Sequence, residues 1–226
     1  MALVSDEKKA ERFNVDMNSV VSHKMYNGVL AGVTFWGLLL NTIMCFTCGD
    51  LLYKIPFIPF LIGYIVLCIA GTAIANASNN PVVSFIGFNM VAVPLGVIVA
   101  GTVQVYAAMD SKIVFQALAY TTTIVFFMLM LSTMFPQWFL SLGKVLFICL
   151  VLNIIVGLIS YFILGQTSII STGIGTLIFS LYIGYDFQKA QKYPHTIDNA
   201  VDCALDLYVD IINLFLRILR LLGRRK

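Results

Sequence analysis

Residues 145–164 read VLFICLVLNIIVGLISYFIL, twenty residues in succession without one charged side chain. A helix of about 20 apolar residues is long enough to cross the hydrocarbon core of a bilayer. Five further apolar stretches of about this length or longer lie at about 25–48, 56–76, 82–108, 113–135 and 168–187. Because the gaps between them are short and contain glycine, proline, asparagine or aspartate, the pattern predicts helices that are antiparallel to their neighbours in sequence.

The chain as a whole has a composition that soluble domains do not have. Of its 226 residues, 60% are hydrophobic and 11% are charged, whereas about 25% of the residues of a soluble domain are charged. Only five charged residues occur between Met25 and Tyr185. No water-soluble surface can be built from that stretch, so the composition excludes a soluble enzyme and a nucleic-acid-binding domain. The predicted fold class is an all-α, polytopic integral membrane protein.

The two ends of the chain differ from this membrane domain, which we place at 25–222. Residues 1–24 form a polar tail with seven charged residues up to Asp16, and residues 223–226 form a short basic tail. The polar tail lacks the basic start and short apolar core of a cleavable signal peptide. The five cysteines are odd in number and most lie in apolar runs, which indicates free buried thiols rather than a disulfide framework.

A seventh segment, about 200–222, carries a polar stripe. At 100° per residue, six of its polar side chains fall within an arc of about 80°, namely Asp202, Asp206, Asp210, Asn213, Arg217 and Arg220. The segment could lie flat on the membrane as an amphipathic anchor, or it could pack inside the bundle. We favour the interior, because surface anchors usually carry basic rather than acidic residues, and charges at bilayer depth face a protein interior or a wet cavity. The prediction is a seven-helix bundle in which the other six helices enclose this one.

The number of crossings stays open at this point. With seven full crossings, the lysines and arginines divide seven against seven between the two sides, so the positive-inside rule does not choose an orientation. If the last segment dips in and returns, the division becomes twelve against two, with both termini in the cytoplasm. Charge distribution therefore favours six crossings and a re-entrant helix, whereas length favours seven.

Two acids are the strongest candidates for chemistry. Asp186 ends an apolar run that has no charge from Ile169 to Ile183, and Asp210 is the most deeply apolar acid of the stripe. Two carboxylates forced together in a low-dielectric site cannot both ionise cheaply, so they hold a shared proton. Carboxylates are also ligands that Ca²⁺ prefers. Alternatively, Asp186 caps its own helix end and Asp210 pairs with Arg217.

The residues around these two acids resemble the C-terminal signatures of the Bax inhibitor family, the transmembrane BAX inhibitor motif proteins. The resemblance rests on Tyr185-Asp186-Phe187-Gln188, on the run LYVDIINLFL at 207–216 and on LRLLG at 219–223. It implies a seven-helix fold and a pH-sensitive calcium leak in which Asp186 and Asp210 form the sensor and contact Ca²⁺ transiently. Asp206 and Asp202 are then auxiliary acids and Arg217 a counter-charge. No cofactor is implied, and the expected partners are Ca²⁺, protons and the bilayer.

The chain departs from the family pattern at two places. Members similar to it carry a neutral residue where this chain has Asp206, so its acidic stripe has one more charge. Bacterial members also have an arginine near the second helix that contacts the acid pair, whereas this chain has no arginine between Arg12 and Arg217. We expect that latch to be absent or to be replaced by another residue, such as Arg217.

Two other function classes remain as alternatives. Tyr-Asp on one membrane helix and an Asp on the next is also the layout of presenilin-like intramembrane aspartyl proteases, whose chemistry needs a shared proton. That family has Gly-x-Gly-Asp at its second acid, whereas this chain has Leu-Tyr-Val-Asp at 207–210, so we predict that the protein is not an enzyme. The other alternative is a regulatory membrane protein that conducts nothing and acts by binding partners, none of which the sequence identifies. The short loops favour a bacterial inner membrane over an internal eukaryotic one.

Overall fold

The computed structural model describes residues 12–13, 15–165 and 168–224. They form nine α-helices: α1 (His23–Thr47), α2 (Leu51–Lys54), α3 (Phe57–Asn76), α4 (Pro81–Met109), α5 (Ser111–Met134), α6 (Pro136–Ser141), α7 (Gly143–Leu164), α8 (Ile169–Ala190) and α9 (Ile197–Gly223). No β-strand occurs in this described part of the chain, so the predicted all-helical class is confirmed. Residues 1–11 and 14 of the predicted polar tail, and 225–226 of the basic tail, lie outside the described residues.

The predicted count of seven helices is not confirmed, because the described residues contain nine. The two additional helices, α2 and α6, have four and six residues. Helices of this length are too short to show an apolar span in the sequence. Pro136 occupies the first turn of α6, where a missing backbone N–H costs nothing.

Several helix ends have local causes that the sequence contains. The hydroxyl of Ser22 accepts a hydrogen bond from the backbone N–H of Met25 at the start of α1. The carboxylate of Asp110 accepts a hydrogen bond from the backbone N–H of Lys112 at the start of α5. Such N-caps satisfy donors that have no partner inside the helix. Gly165 ends α7 with a φ of 67°, a left-handed conformation that favours glycine.

Within the described residues, six helices are long and apolar enough to cross a membrane: α1, α3, α4, α5, α7 and α8. Large apolar side chains on them are exposed, for example Phe46 at 88% and Phe162 at 82%. Exposed apolar surface on this scale is not stable in water, but it matches the hydrocarbon interior of a bilayer. The six helices are therefore candidate membrane spans, and α9 is not among them because of its charges.

The burial of α9 argues against a flat surface anchor. Every described residue of this helix is buried or half-buried. An amphipathic anchor would leave its polar face in contact with water and lipid headgroups. Among the acids of α9, Asp198, Asp202 and Asp210 are all buried.

The chain divides into two compact units. The first consists of Met1–Val105 and Ala190–Tyr208. In it, α3 and α4 approach each other at two glycines: a Cβ on Gly71 would lie 2.7 Å from the carbonyl oxygen of Gly87. Small residues permit such backbone contact between membrane helices. Met44, Val97 and Ala100 form a buried apolar cluster in the same unit.

The second unit consists of Tyr106–Lys189 and Val209–Lys226. In it, α7 and α8 are joined by the side chain of Asn153, whose Nδ2 donates to the carbonyl oxygen of Ser171 at 2.8 Å. This unit contains most of α8 and the second half of α9. It therefore carries both Asp186 and Asp210.

Candidate functional site

Asp186 lies near the end of α8 and is 9% exposed. Lys189, one turn further along the helix, places its Nζ 3.1 Å from Oδ1 of Asp186. The same ammonium group lies 5.9 Å from the centre of the Tyr185 ring. Sequence reasoning missed Lys189, although its spacing of three residues from Asp186 is one at which side chains meet on a helix.

Asp210 belongs to the same compact unit, on α9, and is 6% exposed. Tyr182 lies one turn before Asp186 on α8 and interacts electrostatically with both carboxylates, that of Asp186 and that of Asp210. The two acids that the sequence singled out are thus both buried, in the same compact unit.

Two close contacts at glycines fix the end of α8 that carries Asp186. A Cβ on Gly143, at the start of α7, would lie 2.6 Å from Oη of Tyr185. A Cβ on Gly184 would overlap the ring of Phe139 on α6. Because there is no room for even a methyl group at either position, both aromatic rings pack directly against backbone.

Arg217 does not lie where the counter-charge hypothesis requires. Its guanidinium carbon lies 5.0 Å from the centre of the Phe179 ring on α8. The guanidinium also packs directly against Gly175, where it fills the space that a Cβ would need. Among the described residues, Arg217 forms no ion pair with an acid. Its charge is stabilised instead by the face of an aromatic ring.

The acids at the start of α9 are paired with an arginine far away in sequence. In the first unit, Nε of Arg12 lies 3.8 Å from Oδ2 of Asp202, and its Nη1 lies 3.8 Å from Oδ2 of Asp206. Sequence analysis treated Arg12 only as one residue of a polar tail. The one feature that could have drawn attention to Arg12 is that no other arginine precedes Arg217.

Burial changes the protonation chemistry of this acidic end, which lies outside the six candidate spans. Burial raises the pKa of Asp202 to about 7, although the charge of Arg12 acts in the opposite direction. Burial also raises the pKa of Asp198, partly offset by the hydrogen bond that Ser84 donates to its Oδ1 at 2.6 Å. For Arg12, burial acts to lower the pKa, but the charges of Asp206 and Asp202 outweigh it and raise the pKa.

Three polar residues within the spans form hydrogen bonds between helices. Tyr208 Oη of α9 donates to Oδ1 of Asn41 on α1 at 3.0 Å. Nε1 of Trp36 on α1 donates to Oδ1 of Asn89 on α4 at 3.1 Å, and Asn153 joins α7 to α8 as described above. Each of the three asparagines thus connects two helices. Such bonds are common between membrane helices, where a lone polar group is costly.

A resident metal site does not appear among the described residues. They contain no group of three or more His, Cys, Asp or Glu side chains that could hold a metal ion. A permeant ion needs only passing contact with a carboxylate. The transient contact of Ca²⁺ with Asp186 and Asp210 therefore stays a prediction.

Comparison with known proteins identifies the family. The family model described as "Inhibitor of apoptosis-promoting Bax1" matches residues 18–226, nearly the whole chain. The chain belongs to the Bax inhibitor family. Together with its six apolar helices, this makes it a multi-pass integral membrane protein.

Relatives of this family member come from bacteria and from a plant. An uncharacterised protein of Helicobacter pylori strain J99 is 35% identical over 112 residues, 49% of this chain and 47% of that protein. A BI1-like protein of Arabidopsis thaliana is 37% identical over 131 residues, 54% of this chain and 49% of that protein. An uncharacterised membrane protein of Streptococcus pyogenes serotype M3 is 33% identical over 118 residues, 49% of this chain and 52% of that protein. The match spans about half the length of each relative.

Proposed function

We propose that this Bax inhibitor family protein is a pH-sensitive calcium leak channel, gated by a proton that Asp186 and Asp210 share. The observation that carries the proposal is the burial of these two carboxylates in one compact unit. Charged groups at such depth are expensive and mark ion or proton pathways. A single buried acid could be a structural feature, whereas two buried acids that interact titrate as a pair.

The charges at the site make its state depend on one proton. When both acids are ionised, Asp186, Asp210 and Lys189 together carry one net negative charge. When the acids share one proton, the three groups carry no net charge. The neutral state suits an apolar surrounding, and the negative state attracts a cation. Lys189, which pairs with Asp186, then supplies the positive charge beside the acids.

The proposal places α9 inside a ring formed by the six apolar helices. The lack of exposed residues on α9 and its hydrogen bond from Tyr208 to Asn41 support this placement. Gain or loss of the shared proton then shifts an equilibrium between two packing states of α8 and α9, one of which opens a path for Ca²⁺. We also propose a bacterial inner membrane as the location, since two of the relatives above are bacterial.

The test is Ca²⁺ flux into proteoliposomes, measured over about pH 5 to 8 because burial and a neighbouring like charge can raise the pKa of a carboxylate by several units. The native protein is compared with Asp186→Asn and Asp210→Asn. Flux of the native protein should change with pH, and each substitution should flatten that change. Asp50→Asn is the matched control, because Asp50 is an exposed acid between α1 and α2.

Each other result has a definite meaning. Background flux at every pH would overturn the channel and favour a regulatory protein that acts through partners. Cleavage of a transmembrane substrate that depends on both acids would instead favour the protease. A pH-dependent flux that neither substitution alters would separate the channel from this pair of acids.

A further inference from the structure

The segment before α1 is fastened to the start of α9. We call the described residues 12–13 and 15–22 the leading segment. The backbone N–H of Val21 donates to the carbonyl oxygen of His195 at 2.7 Å, and Val20 bridges to Thr196. At its other end, Nδ2 of Asn199 donates to the carbonyl oxygen of Arg12 at 3.1 Å. The leading segment is thus held at both ends by residues 195–199.

The side chain of Arg12 completes this attachment. Its guanidinium faces Asp202 and Asp206, contacts Sγ of Cys203 at 3.8 Å, and lies 5.2 Å from the centre of the Tyr193 ring. Phe13 packs against the same ring, with the two centroids 5.3 Å apart. Asp202 and Cys203 are each only 3% exposed beneath it.

The ion pairs of Arg12 are loose. Both N···O distances are 3.8 Å, whereas a charge-assisted hydrogen bond measures about 2.7–2.9 Å. At these two contacts the attraction between the guanidinium and the carboxylates is mainly Coulombic. An attraction of that kind is reversible and weakens as salt is added.

We propose that the leading segment is a releasable strap, and that Arg12 acts as a tethered cation which covers the acidic start of α9 and controls the access of soluble cations to it. Release exposes Cys203 and leaves Asp202 and Asp206 without the positive charge that covered them. All the residues involved belong to the first compact unit, whereas Asp186 and Asp210 belong to the second. The strap is therefore separate from the proposed proton-sensing pair. It does not rest on the calcium leak, because release can be measured without any flux.

The test is the rate at which Cys203 reacts with N-ethylmaleimide in the full-length protein, read from the Cys203 peptide by mass spectrometry. Arg12→Gln should raise this rate by about tenfold, which corresponds to about 1.4 kcal/mol of opening free energy. Arg12→Lys keeps the positive charge and should react nearly as slowly as the native protein. Lys24→Gln, which removes an exposed charge at the start of α1, should also leave the rate unchanged.

Salt provides a second measurement that needs no substitution. Raising NaCl from about 0.1 M to about 1 M shortens the Debye length from about 10 Å to about 3 Å. This should speed the reaction of Cys203 several-fold in the native protein and hardly at all in Arg12→Gln, which has no charge at residue 12 for salt to screen.

A third measurement separates release from local unfolding. In Arg12→Gln, a positively charged methanethiosulfonate reagent should modify Cys203 faster than a negatively charged one, because Asp202 and Asp206 are then uncovered. Equally slow reaction of Arg12→Gln and the native protein would overturn the strap. Fast reaction of Arg12→Gln with no preference for the positive reagent would overturn the role of Arg12 as a cation that covers the acids.

Discussion

Nζ of Lys189 lies 3.1 Å from Oδ1 of Asp186, one turn back along α8. The lysine is partly exposed, and the carboxylate is nearly buried, with 27% and 10% of their side-chain surfaces accessible. Asp186 thus has a counter-charge on its own helix, whereas Asp210 is placed on a different helix. This asymmetry bears directly on where the proton of the proposed pair is held.

Lys189→Gln should move the pH dependence of Ca²⁺ flux. Without the ammonium group, the two carboxylates lose the positive charge that favours their ionised state, so the shared proton is released only at higher pH. The pH of half-maximal change in flux should rise by about one unit, if the pair contributes about 1.4 kcal/mol. The measurement is the proteoliposome assay repeated at closely spaced pH values.

Lys192→Gln is the control for this substitution, since Lys192 is exposed just after α8. It removes the same charge from the same region without touching Asp186, and we expect the native pH profile. A profile for Lys189→Gln that coincides with that of Lys192→Gln would show that the ion pair has no part in proton sensing.

The sequence predicted the class of fold and two buried acids, because both follow from local patterns. A twenty-residue apolar run can be recognised without knowing what packs against it. The single charge of Asp186 at the end of such a run can be recognised in the same way. The partners of the acids were not predictable in this way. Arg12 and Asp202 are 190 residues apart in sequence and come together only in the folded chain. A periodic pattern along one helix cannot predict such a long-range contact.

Opposite charge and spacing along one helix suggested that Arg217 pairs with Asp210, but the guanidinium lies elsewhere in the structure. Arg217 is seven residues from Asp210 and on the same stripe, so a pairing was reasonable. In the structure, the absence of a side chain at Gly175 opens a place for the guanidinium beside the ring of Phe179. That place depends on packing between α8 and α9, which spacing along one helix does not describe.

Gly71→Ala should destabilise the protein. The added methyl would lie 2.7 Å from the carbonyl oxygen of Gly87 and 2.9 Å from Cβ of Met90, so α3 and α4 would have to move apart. Overpacking of this kind costs about 1–3 kcal/mol. For a chain of this size, each kcal/mol lowers the melting temperature by about 2–4 °C, which thermal denaturation in detergent can measure.

Gly63→Ala on the same helix is the matched control for Gly71→Ala. A Cβ at Gly63 would meet nothing within 4 Å, and alanine favours a helix over glycine by up to about 1 kcal/mol. Its melting temperature should be unchanged or slightly higher. If both variants melt alike, the close approach at Gly71 is not what holds α3 to α4.

Asp202 should make stability depend on pH. Burial raises its pKa from 3.8 to about 7 in the folded protein, so between these values the folded state binds a proton that the unfolded state does not. Its contribution to stability is complete below about pH 4 and is lost as the pH rises through 7. The melting temperature should therefore fall over this range, and Asp202→Asn, which cannot ionise, should reduce the fall by an amount on the order of 10 °C.

The comparison with Asp202→Asn isolates this residue from the other acids, since Asp198 has a raised pKa for the same reason. Asp16→Asn serves as the control, because the Asp16 side chain is exposed. It should keep the native slope of melting temperature against pH. Parallel slopes for the native protein and Asp202→Asn would contradict the raised pKa.

Gly175→Ala should release Arg217 from its place beside α8. The new methyl would overlap the guanidinium, and because an arginine side chain is flexible, it would swing away rather than force the helices apart. The cost is then the lost contact with the Phe179 ring, about 0.5–1 kcal/mol, while the guanidinium becomes more accessible. Modification of Arg217 by phenylglyoxal, measured by mass spectrometry, should be several-fold faster than in the native protein.

Gly173→Ala adds a methyl two residues earlier, where nothing lies within 4 Å, and it should leave the rate unchanged. Equal rates for the two alanine variants would mean that Gly175 does not determine where Arg217 lies.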